Sequence, residues 1–205
     1  MNNAPYNPSD ILDQTNTEFN VLQYNYMYDM IDKVYIANMY NKEIKDLCLN
    51  LKDNLTQFND QLAGDIQQEY KIEDPNILNH MEEELRKHLY NINNTPIHQV
   101  NFNLWINRQR AGEFNPSHNH TGILSFVFYV QVPEEIRQEH LQSHSGSTPR
   151  RGLIQFQSQR TNDNMVLNPV ENNFLMFTSD HLHQVYPFYS NNTRISVAGN
   201  IYGWK

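Results

Sequence analysis

Asn115-Pro-Ser-His118-Asn-His120-Thr-Gly122, running straight into the apolar residues 123–132, is the stretch of this 205-residue chain whose reading decides the rest. Side chains on an extended strand alternate between its two sides, so His118 and His120 point the same way and both rings could grip one metal ion. Leu124, Phe126, Phe128, Val130 and Val132 then alternate with Ser125, Val127, Tyr129 and Gln131 until Pro133 ends the run, which describes a strand with two different faces.

Working outward, the same period of 2 governs residues 98–107. Val100, Phe102, Leu104 and Ile106 alternate with Asn101, Asn103, Trp105 and Asn107, giving one apolar face and one face of amides plus a tryptophan. The apolar face suits a core; the amide face must line solvent or a polar cavity. Residues 152–157, 173–178, 183–189 and 194–202 are further short strand candidates separated by turn residues. Residues 134–151, with the tract Ser145-Gly-Ser-Thr-Pro149, read as a polar loop, the place where substrate choice is expected.

Upstream of residue 96 the period is helical. Ile44, Leu47, Leu51, Leu55, Phe58 and Leu62 recur every three or four residues before Gly64, which predicts an amphipathic helix over 44–62. Asp74 and Pro75 then offer an N-cap and a first-turn proline to a second helix whose stripe is Ile77, Met81, Leu85 and Leu89 and whose end, near Asn91, carries Arg86, Lys87 and His88. Residues 1–18 read as a flexible arm, and 19–39 fit strand or helix equally. The resulting expectation is α+β, with a mainly helical support over 19–95 packed as one unit on a β-sandwich or barrel over 96–205.

Composition narrows the partners. Net charge is −8, from 15 basic and 23 acidic side chains, and no basic run exceeds Arg150-Arg151, so a nucleic-acid backbone is an unexpected ligand. The single cysteine, Cys48, fits a reducing compartment, and no signal pattern or membrane-length apolar run is seen; a cytoplasmic location is expected.

The chemistry-bearing residues cluster in the β half. A redox-active iron takes neutral imidazoles, usually with one carboxylate, on one face of its octahedron. His118 and His120 meet the same-face condition, and His183, from a neighbouring strand, could close the triangle; His181, two residues earlier, is the competing ligand. Alternation puts Arg194, Ser196, Ala198 and Asn200 on one side of the last strand. An arginine inside an apolar barrel mouth calls for an anion, and its planar fork suits a carboxylate.

Taken in order, Trp105-x-Asn107, Gly112, Asn115-x-x-His118-x-His120, Ser125-Phe-Val-Phe-Tyr129-Val, Gly152-Leu-Ile-Gln-Phe156, the run from Phe177 through His183 to Pro187, and Arg194-Ile-Ser196-Val-Ala-Gly-Asn200 resemble the 2-oxoglutarate- and Fe(II)-dependent oxygenases of bacteria and phages, a branch related to the prolyl hydroxylases. The resemblance spans about residues 98–202 and implies a double-stranded β-helix, or jelly roll, with iron at its mouth. It implies Fe(II) and 2-oxoglutarate as cofactors, O2 as cosubstrate, and hydroxylation of a protein side chain or small molecule. His118 and His183 match the two family histidines, and Arg194 with Ser196 matches the pair that holds the far carboxylate of 2-oxoglutarate. Tyr129 and Asn107 are expected beside the cosubstrate, and Trp105, Asn103 and Asn200 in the substrate pocket.

The pattern departs from the family at His120, where an acid is usual. Either three neutral histidines hold the metal, or Glu113 or Asp180 is recruited and His120 stands behind the ligands. Two other readings follow from the missing acid: a non-catalytic β-helix binding or phage accessory protein, and a cupin-like three-histidine dioxygenase that uses no 2-oxoglutarate. The primary substrate and the oligomeric state are not legible.

Overall fold

A computed structural model describes residues 32–51, 55–141, 150–158, 160–161 and 163–205. The expected arm over 1–18 and the Ser145–Pro149 tract lie outside these residues.

Two antiparallel sheets carry the fold. The elements in chain order are β1 (Tyr35–Asn38), α1 (Lys42–Leu49), β2 (Glu69–Lys71), α2 (Pro75–Asn93), β3 (Val100–Gln109), β4 (Asn115–His118), β5 (Leu124–Gln131), α3 (Glu134–Gln138), β6 (Ile154–Gln157), β7 (Asn164–Leu167), β8 (Asn173–Thr178), β9 (His183–Val185) and β10 (Arg194–Trp204). Six strands form one sheet in the order β1-β8-β5-β10-β3-β2, and four form the other in the order β4-β9-β6-β7. Among the described residues no helix is long and apolar enough to cross a membrane.

The alternation read from the sequence settles which face goes where. On β3, β5 and β10 the apolar sets Leu104/Ile106, Phe126/Phe128/Val130 and Val197/Ile201 are buried in one cluster with Ile77, Met81, Leu85 and Leu89 of α2 and Ile44 and Cys48 of α1. The helices therefore cover one face of the large sheet. The opposite face contributes Tyr129, Leu175 and Phe177 to a second cluster with Ile154 and Phe156 of the small sheet. Gly199 sits where these strands pass most closely: a Cβ there would lie 2.3 Å from the Asn103 carbonyl oxygen and 2.6 Å from Phe126 Cζ.

The second helix forms as its sequence dictates. Asp74 accepts hydrogen bonds from the Asn76 and Ile77 amides at 2.8 and 3.3 Å, Pro75 fills the first turn, and Asn94 closes the helix in the left-handed region at φ 53°. His88 is not the solvated helix-end residue expected. It is buried, stacks on Phe174 at 4.4 Å and meets the Tyr35 hydroxyl at 3.1 Å.

The helical layer is smaller than expected. α1 stops at Leu49, where Asn50 folds its side-chain amide back onto the Asp46 carbonyl. The stripe beyond it is satisfied by tertiary contact instead: Leu51 and Leu55 pack on the main core, while the chain near Gln57 is drawn to the edge of the large sheet by a bridge to Tyr70. The period of three to four reports core contact here, and no helix runs through to Gly64.

The polar loop expected over 134–151 also begins as structure. Ile136 is buried in α3, and the buried Glu139 carboxylate accepts hydrogen bonds from the Tyr189 and Ser190 amides.

Candidate active site

The site lies between the two sheets, and the strand registers build it. His118 of β4 sits directly across from His183 of β9, and His120 follows just past the end of β4, its amide bonded to the Ser179 carbonyl at 2.8 Å. The ring centroids of His118 and His183 are 4.3 Å apart, with 4.9 and 5.0 Å from each to His120. One nitrogen from each ring falls within 4.8 Å of the others. No fourth acid joins this group among the described residues. Glu113 accepts hydrogen bonds from the Arg110 and Gln67 amides, Asp180 acts on His181, and His181 lines a separate cavity with Asp32 and Phe156.

The tautomers suit a metal. His118 Nδ1 lies 2.7 Å from the Pro116 carbonyl oxygen and His183 Nδ1 lies 2.9 Å from that of His181. A carbonyl only accepts, so each Nδ1 carries the proton and each Nε2 keeps its lone pair, the arrangement by which backbone partners orient a ligating imidazole. Burial pushes His118 below its ordinary value and His183 well below it; burial and the neighbouring His118 push His120 down to about 4. All three rings are thus neutral donors near pH 7. Three cis ligands at about 2.1 Å from a metal stand roughly 3 Å apart, within reach of this cluster by small side-chain rotations, so the residues present fit an iron ion.

Across the cavity stands the cation. Arg194 is 3 % exposed and donates to the Gly152 carbonyl and to the Gln109 side-chain oxygen, but no carboxylate pairs with it among the described residues. Burial lowers its pKa while the Tyr129 phenol opposes the shift, and burial pushes that phenol up to about 12. Ser196 of β10 is in register with Tyr129 of β5 on one side and Asn107 of β3 on the other, and the Asn107 amide reaches the Ser196 hydroxyl at 3.5 Å. Arg194, Ser196, Tyr129, Asn107 and Trp105 line the same cavity as the three histidines.

Asn103 and Asn200 are not brought into it. They sit farther along the same strands, where Asn103 Oδ1 accepts from the Asn200 amide at 2.9 Å and Asn200 Oδ1 accepts from the Ser125 hydroxyl at 2.8 Å. The lining residues to which the sequence analysis gives no site role include Gln109 and Glu69. Gln109 lies on the amide face one step beyond Asn107 and was legible by alternation; Glu69 lies on a strand of only three residues, too short to show a period.

Two antiparallel sheets thus bring to one cavity a three-imidazole cluster and a buried arginine that no carboxylate pairs with among the described residues. Residues 103–200 match the family described as "Putative 2OG-Fe(II) oxygenase". No curated protein matches the chain in sequence. Among solved structures, a prolyl-4-hydroxylase from Pseudomonas putida is similar at TM-score 0.58 and 16 % identity, covering 86 % of this chain and 98 % of that one. A viral collagen prolyl hydroxylase from Paramecium bursaria Chlorella virus-1, solved with 2-oxoglutarate, gives 0.56 and 13 %, covering 82 % and 94 %. A Trichoplax adhaerens prolyl hydroxylase in complex with a hypoxia inducible factor peptide gives 0.54 and 11 %, covering 95 % and 94 %. At such identities these likenesses speak for the fold.

Proposed function

We propose that this protein is a hydroxylase whose iron is held by His118, His120 and His183 and whose 2-oxoglutarate is anchored by Arg194, at the mouth of a double-stranded β-helix. The observation that carries the reading is the convergence, in one cavity, of three imidazole rings with a buried guanidinium that no carboxylate pairs with among the described residues. When bound, the iron and its cosubstrate supply the oxidative decarboxylation that delivers one oxygen atom to a substrate C–H bond.

The chain's own residues do the positioning. The Pro116 and His181 carbonyls hold His118 and His183 with Nε2 toward the metal. Gly152 and Gln109 aim the Arg194 fork, so that its remaining N–H groups meet the distal carboxylate of the cosubstrate. The Ser196 and Tyr129 hydroxyls add donors to the same anion, and a Tyr129 pKa of about 12 keeps that phenol protonated as one. Trp105, Ile154, Phe177 and Val185 wall the cavity with apolar surface and exclude water.

Three histidines leave the metal complex one positive charge richer than a set with an acid. The cupin-like reading without 2-oxoglutarate would leave Arg194 buried and unpaired, which the desolvation cost of a charge opposes. The hydroxylated group is a protein side chain or a small molecule; the peptide-bound prolyl hydroxylase that is similar over 95 % of this chain supports a protein side chain.

The test is production of succinate from 2-oxoglutarate by the Fe(II)-loaded protein in air. Turnover by the wild type that is lost in His183→Ala supports the reading. Iron binding with no succinate and no response to 2-oxoglutarate overturns it.

A further inference from the structure

Among the described residues, Glu69 is the one carboxyl group that lines the active-site cavity. Its residue is 2 % exposed, and its Oε1 has no hydrogen-bond partner. The strand registers fix where it stands. Glu69 of β2 is opposite Asn107 of β3, and Asn107 is opposite Ser196 of β10, so the row Ser196-Asn107-Glu69 faces the cavity from three adjacent strands. Two strand spacings, about 10 Å, separate the two ends of that row. The site is thus polarised, with Arg194 and Ser196 at one end and an acid at the other, on the edge strand.

A buried carboxyl group with an unfilled acceptor is destabilising unless something supplies a donor. The protein does not: no lysine or arginine pairs with Glu69 among the described residues, and Lys71, its neighbour on β2, is taken by Glu73. Burial, reinforced by the nearby Glu113 carboxylate, pushes the Glu69 pKa up to about 8. Among the described residues, the other charged or titratable groups facing this cavity are Arg194, at its far end, the Tyr129 phenol and the three histidines. Leu62, Ala63 and Ile66 line the cavity alongside Glu69 and present apolar surface, and Trp105 is part of the same wall. Such walls fit an aliphatic stem, and an indole face favours a cationic head.

We infer that Glu69 is the specificity-determining residue for the primary substrate, which carries an ammonium or guanidinium group on an aliphatic chain, as a lysine- or arginine-type side chain does. This rests on the oxygenase reading above and names the substrate class for that site. On binding, the cation takes the empty position at Oε1 and the carboxylic acid gives up its proton, so that an ion pair replaces a buried neutral acid. The 2-oxoglutarate carboxylate has its own cation in Arg194, so the two anchors select opposite charges and keep cosubstrate and substrate at their own ends.

The experiment uses the anaerobic Fe(II)- and 2-oxoglutarate-loaded protein and two probes, n-butylammonium and neutral n-butanol. Formation of the visible charge-transfer band before any probe is added reports the oxygenase reading separately. Calorimetric titrations near pH 7, in buffers of different ionisation enthalpy, are expected to show n-butylammonium binding at least about tenfold tighter than n-butanol, with about one proton released per cation bound. Glu69→Gln, nearly the same in shape, is expected to lose both the preference and the proton release. Equal binding of the two probes, no binding of the cation to a protein that forms the band, or a cation preference that survives in Glu69→Gln overturns the inference.

Discussion

Replacing Arg194 by lysine separates charge from geometry at the proposed cosubstrate anchor. In the wild type two arms of the guanidinium are committed to the Gly152 carbonyl and the Gln109 side chain, and the residue is 3 % exposed with no carboxylate pairing with it among the described residues. A lysine keeps the positive charge but has one nitrogen, which cannot hold both of those acceptors and also meet both oxygens of a ligand carboxylate. One charge-assisted hydrogen bond is lost and the others are misaligned, a change of about 1.5–3 kcal/mol, or roughly 10- to 150-fold in the dissociation constant of 2-oxoglutarate. Arg194→Ala removes the charge as well and leaves Gln109 and Gly152 without their donor, for which about 3–5 kcal/mol is expected. The assay is anaerobic titration of the Fe(II)-loaded protein with 2-oxoglutarate, followed by its charge-transfer absorption, with Fe(II) affinity measured independently. Iron binding should change little, because no histidine of the cluster contacts Arg194 through any hydrogen bond of the described residues. Binding of 2-oxoglutarate by Arg194→Ala within about threefold of wild type, a change of only ~0.7 kcal/mol, refutes the assignment of Arg194.

Other perturbations probe the scaffold. Gly199→Ala places a methyl group against the Asn103 carbonyl and the Phe126 ring and is expected to destabilise by about 1–3 kcal/mol, seen as a fall in Tm of roughly 3–10 °C. Asp74→Ala removes the acceptor for two first-turn amides of α2; chemical denaturation should show a loss of about 0.5–2 kcal/mol, and Asp74→Asn should recover most of it. Cys48 is fully buried and burial pushes its thiol up to about 12, so it should resist iodoacetamide in the native protein and react on unfolding. Glu69 gives a signed pH effect. Its folded-state pKa of about 8 lies above the ordinary carboxyl value, so the folded state holds a proton that the unfolded state releases. Its contribution to stability is therefore full below about pH 4.5 and declines as pH rises toward 8. Denaturation of the metal-free protein across that window should show this decline, and Glu69→Gln should flatten it.

Particular residues show what could be read from the chain alone. β3, β5 and β10 were legible because each carries two chemically different faces, and the split between Leu104/Ile106 and Trp105/Asn107 survives in the structure as core against cavity. Arg194, Ser196 and Tyr129 lie on the cavity side that alternation assigns them, and the three histidines line the same cavity although β4 ends at His118 and His120 stands beyond it. α2 was legible from its cap, its proline and its stripe. The stripe at 44–62 misled because Leu51 and Leu55 meet the core without being helical. Such spacing records which residues turn inward, and it equates to a helix only when the backbone hydrogen bonds have no better partner. His88 was read as a helix-end charge, yet the pairing of β1 with β8 brings Tyr35 and Phe174 onto it, a long-range event with no local signature. Glu69 escaped for the same reason: its meaning depends on Asn107, 38 positions away by the difference of their numbers, through a strand of three residues. Asn103 and Asn200 share a face with the site but stand too far along their strands to enter it, since alternation assigns a side and says nothing of depth.

The proposed iron is held by three neutral imidazoles where a carboxylate is usual. X-ray absorption at the iron edge of the anaerobic Fe(II)- and 2-oxoglutarate-loaded protein counts imidazole ligands directly, through the outer-shell scattering of their rings. Three imidazoles are expected on the metal in the wild type and two in His120→Ala. A spectrum with two imidazoles in both proteins would place His120 behind the ligands and contradict that expectation.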